Sequence, residues 1–193
     1  MKRTYFLASL VLLVASTASA DHWHRRHRPH RPHRPPPLDL GRLQAITTAC
    51  QNAFEGAANE QACVQTVHQS RARFDVSPAI SACENAFDGD ANELLCLGIA
   101  VGATREPSQA ITACENAFDG DANELTCLRT MSSSWLAPAA ITACENAFDG
   151  DANEQACLDA LVYSRYDAVE LVTFCEQNYD GDANELACIE QYQ

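Results

Sequence analysis

Residues 114–127 read CENAFDGDANELTC. Near copies run from Cys50 to Cys63, Cys83 to Cys96, Cys144 to Cys157 and Cys175 to Cys188, with starts 33, 31, 30 and 31 residues apart. Twelve residues separate the cysteines of every copy, whereas the next copy begins 17 to 20 positions later. Each copy carries an aromatic four residues after its first Cys, then a Gly, then Ala-Asn-Glu ahead of the second Cys. Written as one helix, the fourteen residues would hold their cysteines about 20 Å apart. A disulfide needs Cα atoms within about 7 Å, so a bonded copy has to reverse.

The residues for a reversal are present. Gly120 suits a positive-φ position that ends one helix. Asp121 then opens another as N-cap, with Glu124 three residues on completing an Asp form of the capping box. Cys114 stands six residues before the Gly and Cys127 six after the Asp. Two helices leaving one turn in opposite directions bring these positions level, which predicts a disulfide inside each copy.

The first helix has its own signals. Ser77-Pro78 and Pro138 place Pro at a first helical position, with Ser77 as N-cap. Ile111, Cys114 and Phe118 follow the three-and-four rhythm, with Ala110 and Ala117 on the same stripe, whose small side chains allow close helix approach. Leu125, Cys127 and Leu128 give the second helix its apolar side. No alternating strand pattern competes, so the expected fold class is all-α. Hairpins this short bury too little to stand alone, and serial repetition predicts a solenoid-like array of five disulfide-stapled hairpins with a shared core. The first copy departs most and is expected to act as an end cap.

FDGDANE raises calcium as an alternative. An EF-hand needs Gly at position six and a bidentate Glu at twelve; counted from Asp119, these fall on Glu124 and Thr130. The first copy reads Glu55-Gly56-Ala57, so one supposed ligand is missing. Capping needs only one carboxylate, placed where the helix dipole favours it, and calcium is the weaker expectation. Asn116 and Asn123 are expected to bond turn backbone, and Glu115 and Glu145 to be solvated.

Residues 1–20 read as an export signal, with Lys2 and Arg3 before an apolar run and Ala18-Ser19-Ala20 as the cleavage site. The run is too short to span a bilayer, so no membrane span is expected after cleavage. Ten cysteines in an exported chain predict a disulfide framework and a secreted or periplasmic, oxidising location. Zinc sites usually set two cysteines two to four residues apart, a spacing absent here.

The formal charge of −13 is the sum of unlike parts. Residues 21–37 hold five Arg and one Asp, while residues 38–193 hold six Arg and 25 acidic residues, a balance of −19. That acidity argues against nucleic acid as partner of the body. The segment DHWHRRHRPHRPHRPPP at 21–37 is expected to be a disordered tail biased to polyproline II. His22, His24, His27, His30 and His33 are its candidate ligands, suited to weak binding of zinc, copper or nickel; no cofactor is required. The competing expectation is electrostatic docking on an anionic surface that strengthens as the histidines gain charge.

The expected organisation is signal 1–20, tail 21–37 and a repeat domain 38–193, with copies at about 42–73, 74–104, 105–134, 135–164 and 165–193. In architecture alone the plan resembles disulfide-tied relatives of tetratricopeptide and Sel1-like repeats, which are helix pairs that bind proteins. It lacks their Gly, Tyr and Trp positions, and no functional residue is carried over. His68 is the body's one histidine and no G-x-S-x-G stretch accompanies it, so no enzyme is expected. The leading expectation is a binding or scaffold module for another protein or an anionic envelope polymer. The alternative is an ion-sequestering protein that uses the tail or the acidic turns.

Overall fold

The structure is a computed structural model that describes residues 39–193, except 71, 73, 104 and 105. The signal, the tail and its five histidines lie outside the described residues. Residues 39–193 form one compact unit. Its ten helices are α1 (Leu40–Ala53), α2 (Ala57–Ser70), α3 (Ser77–Ala86), α4 (Asp90–Ala103), α5 (Pro107–Ala117), α6 (Asp121–Ser133), α7 (Ala139–Ala147), α8 (Asp151–Leu161), α9 (Ala168–Asn178) and α10 (Asp182–Gln191), and no strand occurs among the described residues. Consecutive helices pair into five hairpins, each closed by its own disulfide: Cys50–Cys63, Cys83–Cys96, Cys114–Cys127, Cys144–Cys157 and Cys175–Cys188. Their Cα atoms lie 5.7–5.8 Å apart.

The reversal is built on two positions. The first helix of each pair stops when the aromatic turns extended; Phe118, at φ −120° and ψ 141°, still gives its N–H to the Cys114 carbonyl. Phe54, Phe87, Phe118 and Phe148 are buried, so the residue that ends the helix also plugs the core. Two residues later Gly120 has φ 85° and ψ 146°, a region essentially restricted to glycine.

The local roles differ from the sequence expectation. Gly120 is the N-cap of the second helix rather than the residue that ends the first, and Asp121 is the first helical residue and not the cap. Glu124 still reaches back to the Gly120 N–H, the reciprocal half of the box. Side-chain caps occur elsewhere: Asp39 accepts from the Arg42 N–H and Asp167 from the Glu170 N–H, both at 3.1 Å. Ser77 is the first residue of α3, its N–H taken by Asp75 at 3.0 Å, while Pro138 caps α7 from just outside. A proline's fixed φ suits both sides of a helix start.

Packing runs in chain order. The first helices, α1, α3, α5, α7 and α9, lie against one another in succession, as do the second helices, α2, α4, α6, α8 and α10. One core runs through all five hairpins, with Ile80, Ile111, Ile141, Leu97, Leu128, Leu158 and Ile189 fully enclosed. Each hairpin therefore buries its apolar face on its neighbours, as repeat stability requires.

Both end hairpins carry altered faces. Three residues before the first Cys, inner copies place Ile80, Ile111 and Ile141 in the core, whereas the first copy has the half-exposed Thr47. One residue before that Cys, Ala49, Ala82, Ala113 and Ala143 pack partly buried against the core, whereas the last copy has Phe174, 45% exposed. Phe174 and Tyr166 meet Tyr192 edge-on, with centroids 6.0 and 5.7 Å away. The first and fifth copies thus differ from the inner ones at positions that the inner copies pack against the core.

Candidate functional site

The DGDANE turns build a ladder between hairpins. Asn59, Asn92, Asn123 and Asn153 each donate to a carbonyl of their own turn, at 3.0 to 3.3 Å. Each also donates to Oδ2 of the first Asp in the following second helix, namely Asp90, Asp121, Asp151 and Asp182. The Asp119 and Asp149 N–H groups point at the same acceptors, Asp151 and Asp182, at 3.4 Å. The first hairpin has Ala57 where the others have this Asp, and no hairpin precedes it among the described residues.

Asp121, read from sequence as a cap for its own helix, thus serves the hairpin before it. The departure at Ala57 was the available clue: the acceptor is missing where no donor precedes it among the described residues. Replacing Asn123 with Ala is expected to cost about 1 kcal/mol, an ordinary net hydrogen-bond value. Asn184→Ala should cost less, because the Asn184 amide bonds Asp180 of its own turn, at 2.9 Å, and no second-helix Asp among the described residues. Urea unfolding of the oxidised proteins would compare them, and equal midpoints would remove the ladder's role in stacking.

Beneath each rung lies a buried glutamate. Glu93, Glu124, Glu154 and Glu185 are only 6–7% exposed, and the Oε2 of each has no hydrogen-bond partner among the described residues. Burial, reinforced by Asp121 and Glu115, pushes the Glu124 carboxyl up to about 7; opposing this, the Gly120 N–H favours the ionised form. Glu93, Glu154 and Glu185 are raised in the same way, burial first. The corresponding Glu60 of the first copy is half-buried.

The Asp oxygens that open the second helices, at Asp90, Asp121, Asp151 and Asp182, are thus engaged by Asn amides. Among the described residues no three His, Cys, Asp or Glu side chains gather as a metal site.

The exposed face of the first helices repeats a different set. Thr48, Ser81, Thr112, Thr142 and Thr173 precede the first Cys by two positions, and all are exposed. Asn52, Asn85, Asn116, Asn146 and Gln177 follow it by two positions and are exposed on the same side. Asn85 and Asn146 donate to the Ser81 and Thr142 carbonyls at 2.7 Å, which fixes the amides along the helix. Shallow grooves of about 450–560 Å³ lie between α1 and α3, α5 and α7, and α7 and α9, with these hydroxyls and amides in their walls.

Among the sequence-assigned residues, the ten cysteines pair within their hairpins and none is free. Bonded cysteines fit an oxidising compartment. No described helix is long and apolar enough to cross a membrane. His68 is exposed on α2. The fold defines an all-helical, disulfide-stapled hairpin repeat. The chain matches no family model, no curated protein and no solved structure.

Proposed function

We propose that the chain is an exported, non-enzymatic binding module that holds an extended segment of another protein across the first-helix face. The supporting observation is the register of that face: one hydroxyl and one amide per hairpin, beside grooves that recur with the stack. Packed helices lie about 8–10 Å apart, so the face presents like groups at nearly constant intervals. An extended chain rises about 3.3 Å per residue, so every third residue of such a segment meets an equivalent groove. Glu84, Glu115 and Glu176, exposed beside the amides, favour a segment carrying Lys or Arg.

A photo-crosslinking amino acid at Thr112 or Thr142 is expected to capture a discrete partner in the native compartment. The same group at Ala122 or Ala152, exposed on the second helices, should capture far less. Equal yield at all four positions, or none at any, would overturn the assignment of the face.

A further inference from the structure

Four glutamates occupy the seams between hairpins without a partner for one oxygen. Their burial comes from stacking: Glu60, which has no described hairpin before it, is half-buried, whereas Glu93, Glu124, Glu154 and Glu185 are closed off. The charges facing them are carboxylates of their own hairpins, joined at Glu154 by one from the hairpin before. Glu124 on α6 faces Asp121 of its own helix, Glu115 of α5 and Asp119 of the turn. Glu154 on α8 faces Asp151, Glu145 of α7 and Asp119 of the preceding hairpin. Asp90, Glu84 and Asp88 surround Glu93, and Asp182, Glu176 and Asp180 surround Glu185. The Gly N–H bond that each accepts opposes them.

We propose that the buried glutamates make the hairpin stack a proton-operated clamp, tightened when they are protonated and loosened when they ionise. A negative charge at a closed seam has lost its water and meets other negative charges. Opening the seam rehydrates it, so ionisation and opening favour each other. The disulfides keep each hairpin closed throughout, and the moving parts are the hairpins against one another.

The sign follows from proton linkage. A glutamate raised in the stacked state holds its proton at a pH where the opened chain has already lost it. Between the ordinary carboxyl value of about 4.3 and the stacked value, the stack therefore binds more protons, and its stability falls as pH rises. For Glu124 the loss is complete only above about pH 7. Each unit by which a site is raised changes the stacking equilibrium about tenfold.

Asp75 opposes this at the acid end. The Ser77 N–H and hydroxyl hold its carboxyl below the ordinary value, so its contribution is lost as pH falls through that lower range. The stack should be most stable at about pH 4, above the range where Asp75 is lost and below the ordinary glutamate value.

The test is urea unfolding of the oxidised protein at about pH 5 and about pH 8, in low salt and in about 1 M salt. A generally acidic surface also gains from acid, but high salt screens that gain. The expected result is a higher midpoint at pH 5 in both salts, and near loss of the high-salt difference when all four glutamates become Gln. A level or falling midpoint on acidification, a gain confined to low salt, or an undiminished gain in the Gln protein would overturn the clamp. Should the fourfold variant fail to fold, carbon NMR titration of the wild-type carboxyls decides the matter. Midpoints at ordinary values for these four residues would end the proposal.

Discussion

Reduction of the five disulfides is expected to unfold the repeat body at neutral pH and room temperature. Each bond closes a loop of fourteen residues, and the chain-entropy relation assigns about 3 kcal/mol to such a loop. The loops do not overlap in sequence, so five together amount to about 15 kcal/mol in that relation, the upper end of ordinary domain stability. Helices of nine to fourteen residues are marginal by themselves, and their core is available only after the hairpins have formed. The cysteine side chains are themselves core, at 0–3% exposed, so reductant should act slowly until the stack opens. Circular dichroism of protein reduced in urea and returned to buffer should show a helical signal well below that of the oxidised form. A reduced chain that regains the full signal and a cooperative melt would show that packing alone suffices.

Single pairs should differ by position. Cys114→Ala with Cys127→Ala removes the staple from the middle hairpin, which supports neighbours on both sides. Cys175→Ala with Cys188→Ala affects an end hairpin. In a linear array, weakening a middle unit separates two groups of neighbours, whereas weakening an end unit frays one. The middle pair should therefore lower the melting temperature more, even though the two loops are equal in length.

The hairpin unit was legible from the sequence because its requirements are local. Equal cysteine intervals, one glycine able to hold φ near 85° and the three-and-four spacing of Ile111, Cys114 and Phe118 all concern residues of one copy. The roles of Asp121 and Glu124 were harder to read because they belong to contacts between copies. A capping box and an inter-hairpin rung use the same residue types at the same spacing, and only the neighbour's Asn92 distinguishes them. The burial of Glu124 was hidden for a related reason: carboxylates are ordinarily exposed, and this one is enclosed by the stack. The tail's metal reading concerns residues outside those described.

The fifth copy's ending can be moved to the middle of the array. Ala113 is partly buried against the core, on a helix whose next neighbour in the stack is α7. Phe174, its counterpart in the last copy, is half-exposed beside Tyr192. Ala113 lines the groove between α5 and α7, and Ala113→Phe sets a ring where α7 closes on α5; overpacking of this kind costs about 1–3 kcal/mol and sometimes more. The cost should concentrate between the third and fourth hairpins. Hydrogen exchange is then expected to quicken on α5 and α7 before α1 or α9, with the melting temperature lowered by several degrees. Phe174→Ala removes a ring with no further hairpin against it and should change stability by less than about 1 kcal/mol, as exposed positions usually do. If Ala113→Phe leaves exchange at α5 and α7 unchanged, or costs no more than Phe174→Ala, small residues are not what lets the hairpins close on one another. The terminal aromatics would then have to be explained by something other than ending the stack.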